Sequence, residues 1–592
     1  MTKVVKLLPV TRDSLVLQMN NLDEREIPPP ATGYGSHEPQ GIQQLSQEMP
    51  PPSQSGKGQG DTADHSPNMQ QSTLPKPKKT FSFFMSILML ALVALVVSWD
   101  STTLAVATPT ITNQLHGTTL QSFWASIAFM LGVVITQPIY SSVSNILGRK
   151  FPLLAATLLF TLGCIIFAVA KNMSVIVVGR ALQGLGGGGL DVLQAVILSD
   201  ITTLQERPLY LGIMSLAIAI GTLAGPVTGA LFTDYNWRWI GWINLPFMAI
   251  VFLLALFFLR LKLIDLTLRS KLRRLDWIGM LLFTMGATFT VLPLSWANDL
   301  FPWSSWQTLV PMIVGVLVLV AFGVYETKAK PAEPIVPYRI FANITFTIAL
   351  VSGSLNGMVL YSLTLYIPLF FQAVFLQPPL QAALSAIPLA CVTLGFCFIA
   401  SIIIEITRRC WLQNSIGWIM TTIFLGLWSL VGKDASKAMS YSFQSFLGLG
   451  VGTVFTTTTV QLQSSVELID DMGLAAGLLV FFRLVGAMLG QTIGATIFNS
   501  VFQDGLADFG ELPDSLRILE DPSEAIGFIP SLADLGLSTE VMDRLIDVYQ
   551  GPFQTIWMVM AGFSCAGAVV SFFAKELTLE RDEVGRQGFE ER

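Results

Sequence analysis

The chain has 592 residues, of which 52% are hydrophobic and only 12% charged. A soluble globular protein carries about 25% charged residues, so a water-soluble domain of this length is excluded. The net charge of -6 rests on few groups and offers nothing that favours nucleic acid.

Residues 1–79 are rich in Pro, Gln, Ser and Gly, with proline runs at 28–30 and 50–52, and poor in aromatics. Such a stretch buries too little apolar surface to offset its ordering entropy, so a disordered cytoplasmic tail is predicted. No apolar core follows the start closely enough for a signal peptide. Lys76, Lys78 and Lys79 precede the first long apolar run and favour a cytoplasmic N-terminus.

From about residue 81 to 573, long apolar segments alternate with short polar gaps. A run of about 20 apolar residues crosses the hydrocarbon core as a helix. The pattern predicts an all-α polytopic membrane protein with fourteen spans. The first six are expected at 82–107, 122–143, 152–170, 174–198, 209–232 and 239–259. Two follow at 276–296 and 307–325, and six more at 342–371, 382–404, 413–431, 440–461, 473–502 and 553–574. The expected organisation is a six-helix half over 80–262, a linker with two extra spans over 263–340, a second half over 341–574 and a cytoplasmic tail over 575–592.

Loop charges orient the bundle. Arg149, Lys150, Arg207, Lys262, Arg269, Lys271, Arg273, Arg274, Lys328, Lys330, Arg339, Arg408 and Arg409 fall on the side of the termini. The short opposite loops offer only Lys171, Arg238, Lys433 and Lys437. That bias marks the first side as cytoplasmic. One long outer loop, 503–551, is acidic and suggests short helices at the membrane surface. Asn172 begins a glycosylation sequon on the outer side, whereas the sequon at Asn343 lies inside, where it stays unmodified. Cys164, Cys391, Cys397, Cys410 and Cys565 lie in or beside apolar runs and read as small core residues. No metal-ligand cluster or phosphate-binding lysine motif appears. The GxGxxG at Gly184–Gly189 lies inside a span, not after a strand, so it does not signal a nucleotide.

Gly221, Gly225 and Gly229 recur every four residues in the fifth span, with Pro226 among them. Glycines at this spacing let a neighbouring backbone approach closely, and Pro226 removes a backbone donor. The pattern resembles the antiporter signature of the major facilitator superfamily. Trp99 to Pro109, Gly179-Arg180-Ala-Leu-Gln183-Gly184, Trp237-Arg238-Trp239 and Ile243-Asn244-Leu245-Pro246 are similar to further motifs of its fourteen-span drug/proton antiporter family, in the flavour of fungal toxin and secondary-metabolite efflux pumps. The resemblance implies the major facilitator fold: two six-helix halves plus two central inserted helices. Gly486, Gly490 and Gly494 repeat the glycine spacing in the thirteenth span, as parallel halves require. One motif departs. The loop after the second span carries Gly148, Arg149 and Lys150, but Ser141 stands for the family's glycine and Asn145 for its acid. An amide bonds more weakly than a carboxylate, so a weaker inner-gate latch is expected.

An ionisable group inside a span is a functional candidate. Asp100 and Arg180 fall at similar depths and are expected to interact, either as a proton-coupling pair or as a permanent brace. Asp191 projects from the same face of its helix as Arg180 and is a second proton or cation candidate, or an acid in a solvated wall. Arg483 either neutralises a facing acid or helix end or contacts anionic substrate groups. Gln183 and Trp124 are cavity candidates; Trp124, Phe129, Tyr361 and Tyr366 either form a greasy pocket or, as aromatics abundant in this chain, pack between helices or face lipid. Asp200 and Glu405 stand near span ends, where snorkelling explains them. Thr453 and Thr456–Thr459 bond back to their own helix or line a wet cavity.

These observations predict a secondary transporter, not an enzyme, with no cofactor. It works as a monomer in the plasma membrane, or alternatively the vacuolar membrane. Its partners are the lipid bilayer, protons and a small amphipathic compound exported in exchange for protons. The alternatives are a proton-coupled permease for amino acids or iron chelates, and a transporter-like ligand sensor.

Overall fold

A computed structural model describes residues 79–577, apart from 118, 263–267, 298–300, 330, 332, 469–470 and several positions between 508 and 534. The expected N-terminal tail, except Lys79, and most of the expected C-terminal tail lie outside the described residues. A helix occupies each of the fourteen expected spans. They are α1 (Phe81–Gln114), α2 (Thr119–Leu147), α3 (Lys150–Ala168), α4 (Met173–Ile201), α5 (Arg207–Tyr235), α6 (Asn244–Phe257), α7 (Trp277–Trp296) and α8 (Trp306–Ala329). The series continues with α9 (Ile344–Val374), α10 (Ile387–Thr407), α11 (Trp411–Trp428), α12 (Lys437–Ser464), α13 (Met472–Ala507) and α14 (Thr539–Phe572).

Local chemistry fixes many of the helix ends. Side chains of Asn172, Asp276, Asn343 and Ser436 accept backbone N–H bonds at the starts of α4, α7, α9 and α12, relieving donors that have no partner within the helix. Gly148 turns the chain between α2 and α3 at φ 93°, where a Cβ would be strained.

Among the described residues, twelve helices are long and apolar enough to cross a membrane by length and composition. The other two at expected spans, α11 and α12, are more polar. Their polar groups are met inside the bundle: Asn414 donates to Gln461 Oε1 at 3.3 Å and accepts from Thr457 Oγ1 at 2.9 Å and Thr458 Oγ1 at 3.3 Å. Trp418 Nε1 donates to Ser352 Oγ at 2.9 Å. Satisfied this way, polar helices are compatible with a bilayer. Thr453, Thr457 and Thr459 also bond back to their own helix, and Thr456 bonds the Cys397 carbonyl of α10.

The packing repeats. In the first half α1 packs on α5 and α6, and α4 on α2 and α3; in the second half α9 packs on α13 and α14, and α12 on α10 and α11. The small residues follow the same plan. A Cβ at Gly221, Gly225 or Gly229 would strike the α1 backbone or side chains, and one at Gly486, Gly490 or Gly494 would strike α9. In α4, Gly184 and Gly188 abut α2 and Gly186 abuts α3; in α12, Gly448 and Gly452 abut α10 and Gly450 abuts α11. The close approaches are therefore made at corresponding positions in both halves. Pro226 lies within the unbroken α5. The inserted α7 and α8 pair with each other, and α7 also rests on α2 and α13, one helix from each half.

The acidic loop is shorter than expected, because α13 runs on to Ala507 and α14 begins at Thr539. The reason is apolar: Leu545, Ile546 and Tyr549 are buried, and the Tyr549 ring lies 4.8 Å from that of Phe502 on α13. A one-turn helix, Ala525–Phe528, is held by the Tyr549 hydroxyl, which donates to the Ala525 carbonyl at 3.0 Å. Only Cys164, Cys397 and Cys410 are core residues; Cys391 and Cys565 lie on exposed faces of α10 and α14, which corrects the reading of all five as core.

Candidate functional site

The charged residues that the sequence places at span depth divide between two clusters. The first holds Asp100, Arg180 and Gln183. Arg180 Nη1 donates to Asp100 Oδ2 at 2.7 Å and to Gln183 Oε1 at 3.0 Å. Asp100 Oδ1 accepts from Asn244 Nδ2 at 2.8 Å and from Gln183 Nε2 at 3.4 Å. Gln183 also donates to Cys164 Sγ at 3.1 Å, and the guanidinium lies 4.2 Å from the centre of the Phe129 ring. Asp100, Arg180, Gln183 and Asn244 are each at most 2% exposed. Five helices of the first half, α1, α2, α3, α4 and α6, thus converge on one ion pair. Asn244 lies in one of the sequence motifs, which gives it no role by itself; its part depends on α6 folding back on α1.

The second cluster straddles the seam between the halves. Asp191 on α4 accepts from Gln137 Nε2 of α2 at 2.8 Å. Arg483 on α13 donates through Nη2 to the Phe455 carbonyl and to Thr459 Oγ1 of α12, both at 3.2 Å, and stacks 3.8 Å from the Phe455 ring centre. Asp191, Arg483 and Tyr361 of α9 lie within electrostatic reach of one another. Although eleven residues place Arg180 and Asp191 on one helical face, they are about 16 Å apart along the axis and join different clusters.

The halves meet at the face that carries the basic loops. Ser141 Oγ donates to the Gly473 carbonyl at 3.2 Å, Arg207 Nη1 to Gln463 Oε1 at 3.3 Å, and Arg408 Nη1 to the Gln205 carbonyl at 2.8 Å. Ser141, the residue standing for a glycine, therefore makes a cross-half bond. Arg207, read as a loop charge, is 1% exposed. Its Nη2 also caps the end of α4 through the Ser199 and Thr202 carbonyls at 2.7 and 3.0 Å.

Asn145 is half-buried and makes no side-chain hydrogen bond among the described residues. Arg149 instead pairs with Asp200 at 2.7 Å and donates to Ser144 Oγ at 2.6 Å. Asp200 is 2% exposed, which corrects the snorkelling reading: the acid serves Arg149 in the interior. Lys150 Nζ donates to the Leu256 and Leu259 carbonyls at 2.8 and 3.2 Å and closes the end of α6.

Among the aromatics, Trp124 meets Trp296 of α7 edge to face at 6.3 Å. Tyr366 is buried and donates to the Gln491 carbonyl at 2.8 Å. Asn172 is exposed, and its Oδ1 accepts from Val175 N at 3.0 Å. Among the described residues no group of three or more metal-ligating side chains occurs.

Comparison with known proteins agrees with this architecture. Residues 90–491 match the Major Facilitator Superfamily. The chain is 43% identical to the MFS-type transporter sphD of Aspergillus fumigatus, over 87% of this chain and 89% of that one. It is 31% identical to the efflux pump FUS6 of Gibberella moniliformis, over 91% and 96%, and 31% identical to the MFS-type efflux pump MMF1 of Mycosarcoma maydis, over 85% and 81%. Among solved structures, human organic anion transporter MFSD10 and the proton:xylose symporter XylE each superpose with a TM-score of 0.53 at 11% identity. The first comparison covers 83% of this chain and 100% of the other, the second 85% and 98%. These likenesses carry the fold. With fourteen helices at the expected spans and family motifs along the first half, this chain is an integral membrane protein that belongs to the major facilitator superfamily of transporters.

Proposed function

We propose that the protein exports small amphipathic organic compounds in exchange for protons, by alternating access of its two halves. The observation that carries the reading is the seam: Asp191 and Arg483 lie within electrostatic reach of each other from opposite halves without an ion pair. Groups so placed sense the separation of the halves, which a permanently fixed pair within one half does not. The family resemblance and the efflux pumps among its relatives support export over uptake.

In this reading Asp191 is the carboxylate that exchanges protons at the seam. Asp100 and Arg180 couple that change to the packing of the first half. The contacts from Ser141, Arg207 and Arg408 form the gate that opens when the halves rock. The fourteen helices all cross, both termini are cytoplasmic, and a single chain works in the plasma membrane.

The test is flux in proteoliposomes under an imposed proton gradient, with amphipathic toxins and drugs beside amino acids. Toxin movement opposite to proton flow is expected. Movement of amino acids alone, in the direction of the protons, overturns the export reading.

A further inference from the structure

Arg483 sits eleven residues from the start of α13 and Asp191 ten residues from the end of α4. Each is therefore about 15 Å from the basic face, near the middle of a hydrocarbon core about 30 Å thick. Arg483 is 7% exposed, yet both its hydrogen bonds go to neutral oxygens and both leave from Nη2. Its Nε is buried without a partner among the described residues, and Nη1 makes no hydrogen bond among them. Among the described residues, no carboxylate comes within ion-pair distance of it.

The contrast with the other buried arginines is chemical. Arg180 and Arg149 each hold a carboxylate at 2.7 Å, and Arg207 caps a helix end. A guanidinium buried at mid-membrane depth with no anion bears an uncompensated desolvation cost, of which stacking on Phe455 recovers only part. Asp191 relieves it only through space: it lies within electrostatic reach but forms no ion pair, and its Oδ2 accepts from Gln137 on the opposite half. The unfilled donors are a fork suited to an oxyanion.

We propose that Arg483, with Phe455, Thr459 and Tyr361, forms an anion-binding subsite, and that the cargo is an amphipathic monoanion whose carboxylate or similar oxyanion binds the guanidinium. The inference rests on the transport reading and adds a substrate class to it. Phe455 supplies an aromatic wall for the apolar body. Asp191, within electrostatic reach of Arg483, opposes negative charge in the site, most strongly a dianion's, and so favours monoanions. An anion seated there touches the second half directly and feels the first through Asp191, so its binding is coupled to the seam.

The test uses the full chain in nanodiscs and three matched probes: 2-naphthoate, 2-naphthylmethanol and 2-naphthylmethylamine, titrated calorimetrically. Wild type is expected to prefer the acid. Arg483→Gln should weaken the acid tenfold or more while leaving the alcohol within twofold; Arg483→Lys, which keeps the charge but not the fork, should fall between. Asp191→Asn should tighten the acid and weaken the amine.

Equal binding of acid and alcohol, an equal loss of all three probes in Arg483→Gln, or binding of none overturns the subsite. Thermal unfolding of each variant separates a lost site from a lost fold. Acid binding without flux in proteoliposomes would sink the transport reading and leave the subsite standing. Proton-driven flux of a neutral cargo, untouched by Arg483→Gln, would do the reverse.

Discussion

Asp100→Asn tests the physical account of the first cluster. Asp100 is 1% exposed and accepts from Arg180, Asn244 and Gln183 at 2.7, 2.8 and 3.4 Å. An asparagine offers one acceptor oxygen where three donors converge, and turns an amide N–H₂ toward groups that also donate. It leaves Arg180, 2% exposed, without its counter-charge. Breaking a buried pair from one side costs about 3–5 kcal/mol. Contact with the Phe129 ring offsets about 0.5–2 kcal/mol at most, and is present in wild type too, so it does not reduce the difference. Replacing both members by neutral amides, Asp100→Asn with Arg180→Gln, should cost less than about 2 kcal/mol, because no charge is then stranded. The assay is a double-mutant cycle by reversible unfolding in mixed micelles of dodecylmaltoside and sodium dodecyl sulfate. An Asp100→Asn protein as stable as wild type, or a double variant worse than either single one, would refute the reasoning. The pair would then not be held by opposite charge.

Gly490→Val would place a Cβ 2.5 Å from the Met358 carbonyl of α9 and should abolish recovery of folded protein on size-exclusion chromatography. Gly395→Ala and Gly562→Ala, where nothing lies within 4 Å, should be neutral or stabilising by up to about 1 kcal/mol through helix propensity. Asp200→Asn strands the buried Arg149 and should cost about 3–5 kcal/mol in the same unfolding assay, whereas a solvated Asp200 would cost nothing measurable. Ser141→Ala with Arg408→Ala removes two bonds between the halves. Each ordinary bond contributes about 0.5–1.5 kcal/mol, so alkylation of a cysteine introduced at the half-buried Asn145, with the exposed Cys391 and Cys565 replaced by serine, should speed several-fold; an unchanged rate would show that these bonds do not hold the basic face shut. Asn172→Gln should lose the α4 cap, about 0.5–2 kcal/mol, whereas Ser174→Ala, which breaks the same sequon and leaves the cap, should not. Equal stability of the two would remove the cap from the account.

Much of this protein is legible in its sequence. The spans follow from hydropathy, because the backbone of a chain in lipid must satisfy itself within helices. The glycine stripes at 221–229 and 486–494 identify corresponding helices, because only a residue without Cβ admits a neighbour's backbone at that distance. The pairing of Asp100 with Arg180 was expected from two costly charges at one depth. Which further residues complete each cluster depends on contacts far apart in sequence. Asn244 reaches Asp100 from α6, and Gln137 reaches Asp191 from α2. Asp200 was misread because a span end is solvated in an isolated helix; packing beside Arg149 buries it. Ser141 and Asn145 look alike in the sequence, as two losses from one motif, yet one bonds the opposite half and the other bonds nothing among the described residues. The sequence by itself determined where the long apolar helices run and which charges lie within them, since both follow from local transfer energies. Only the tertiary structure decided which charges are paired and which face the seam, since a charge buried in lipid is set by whatever helix packs against it.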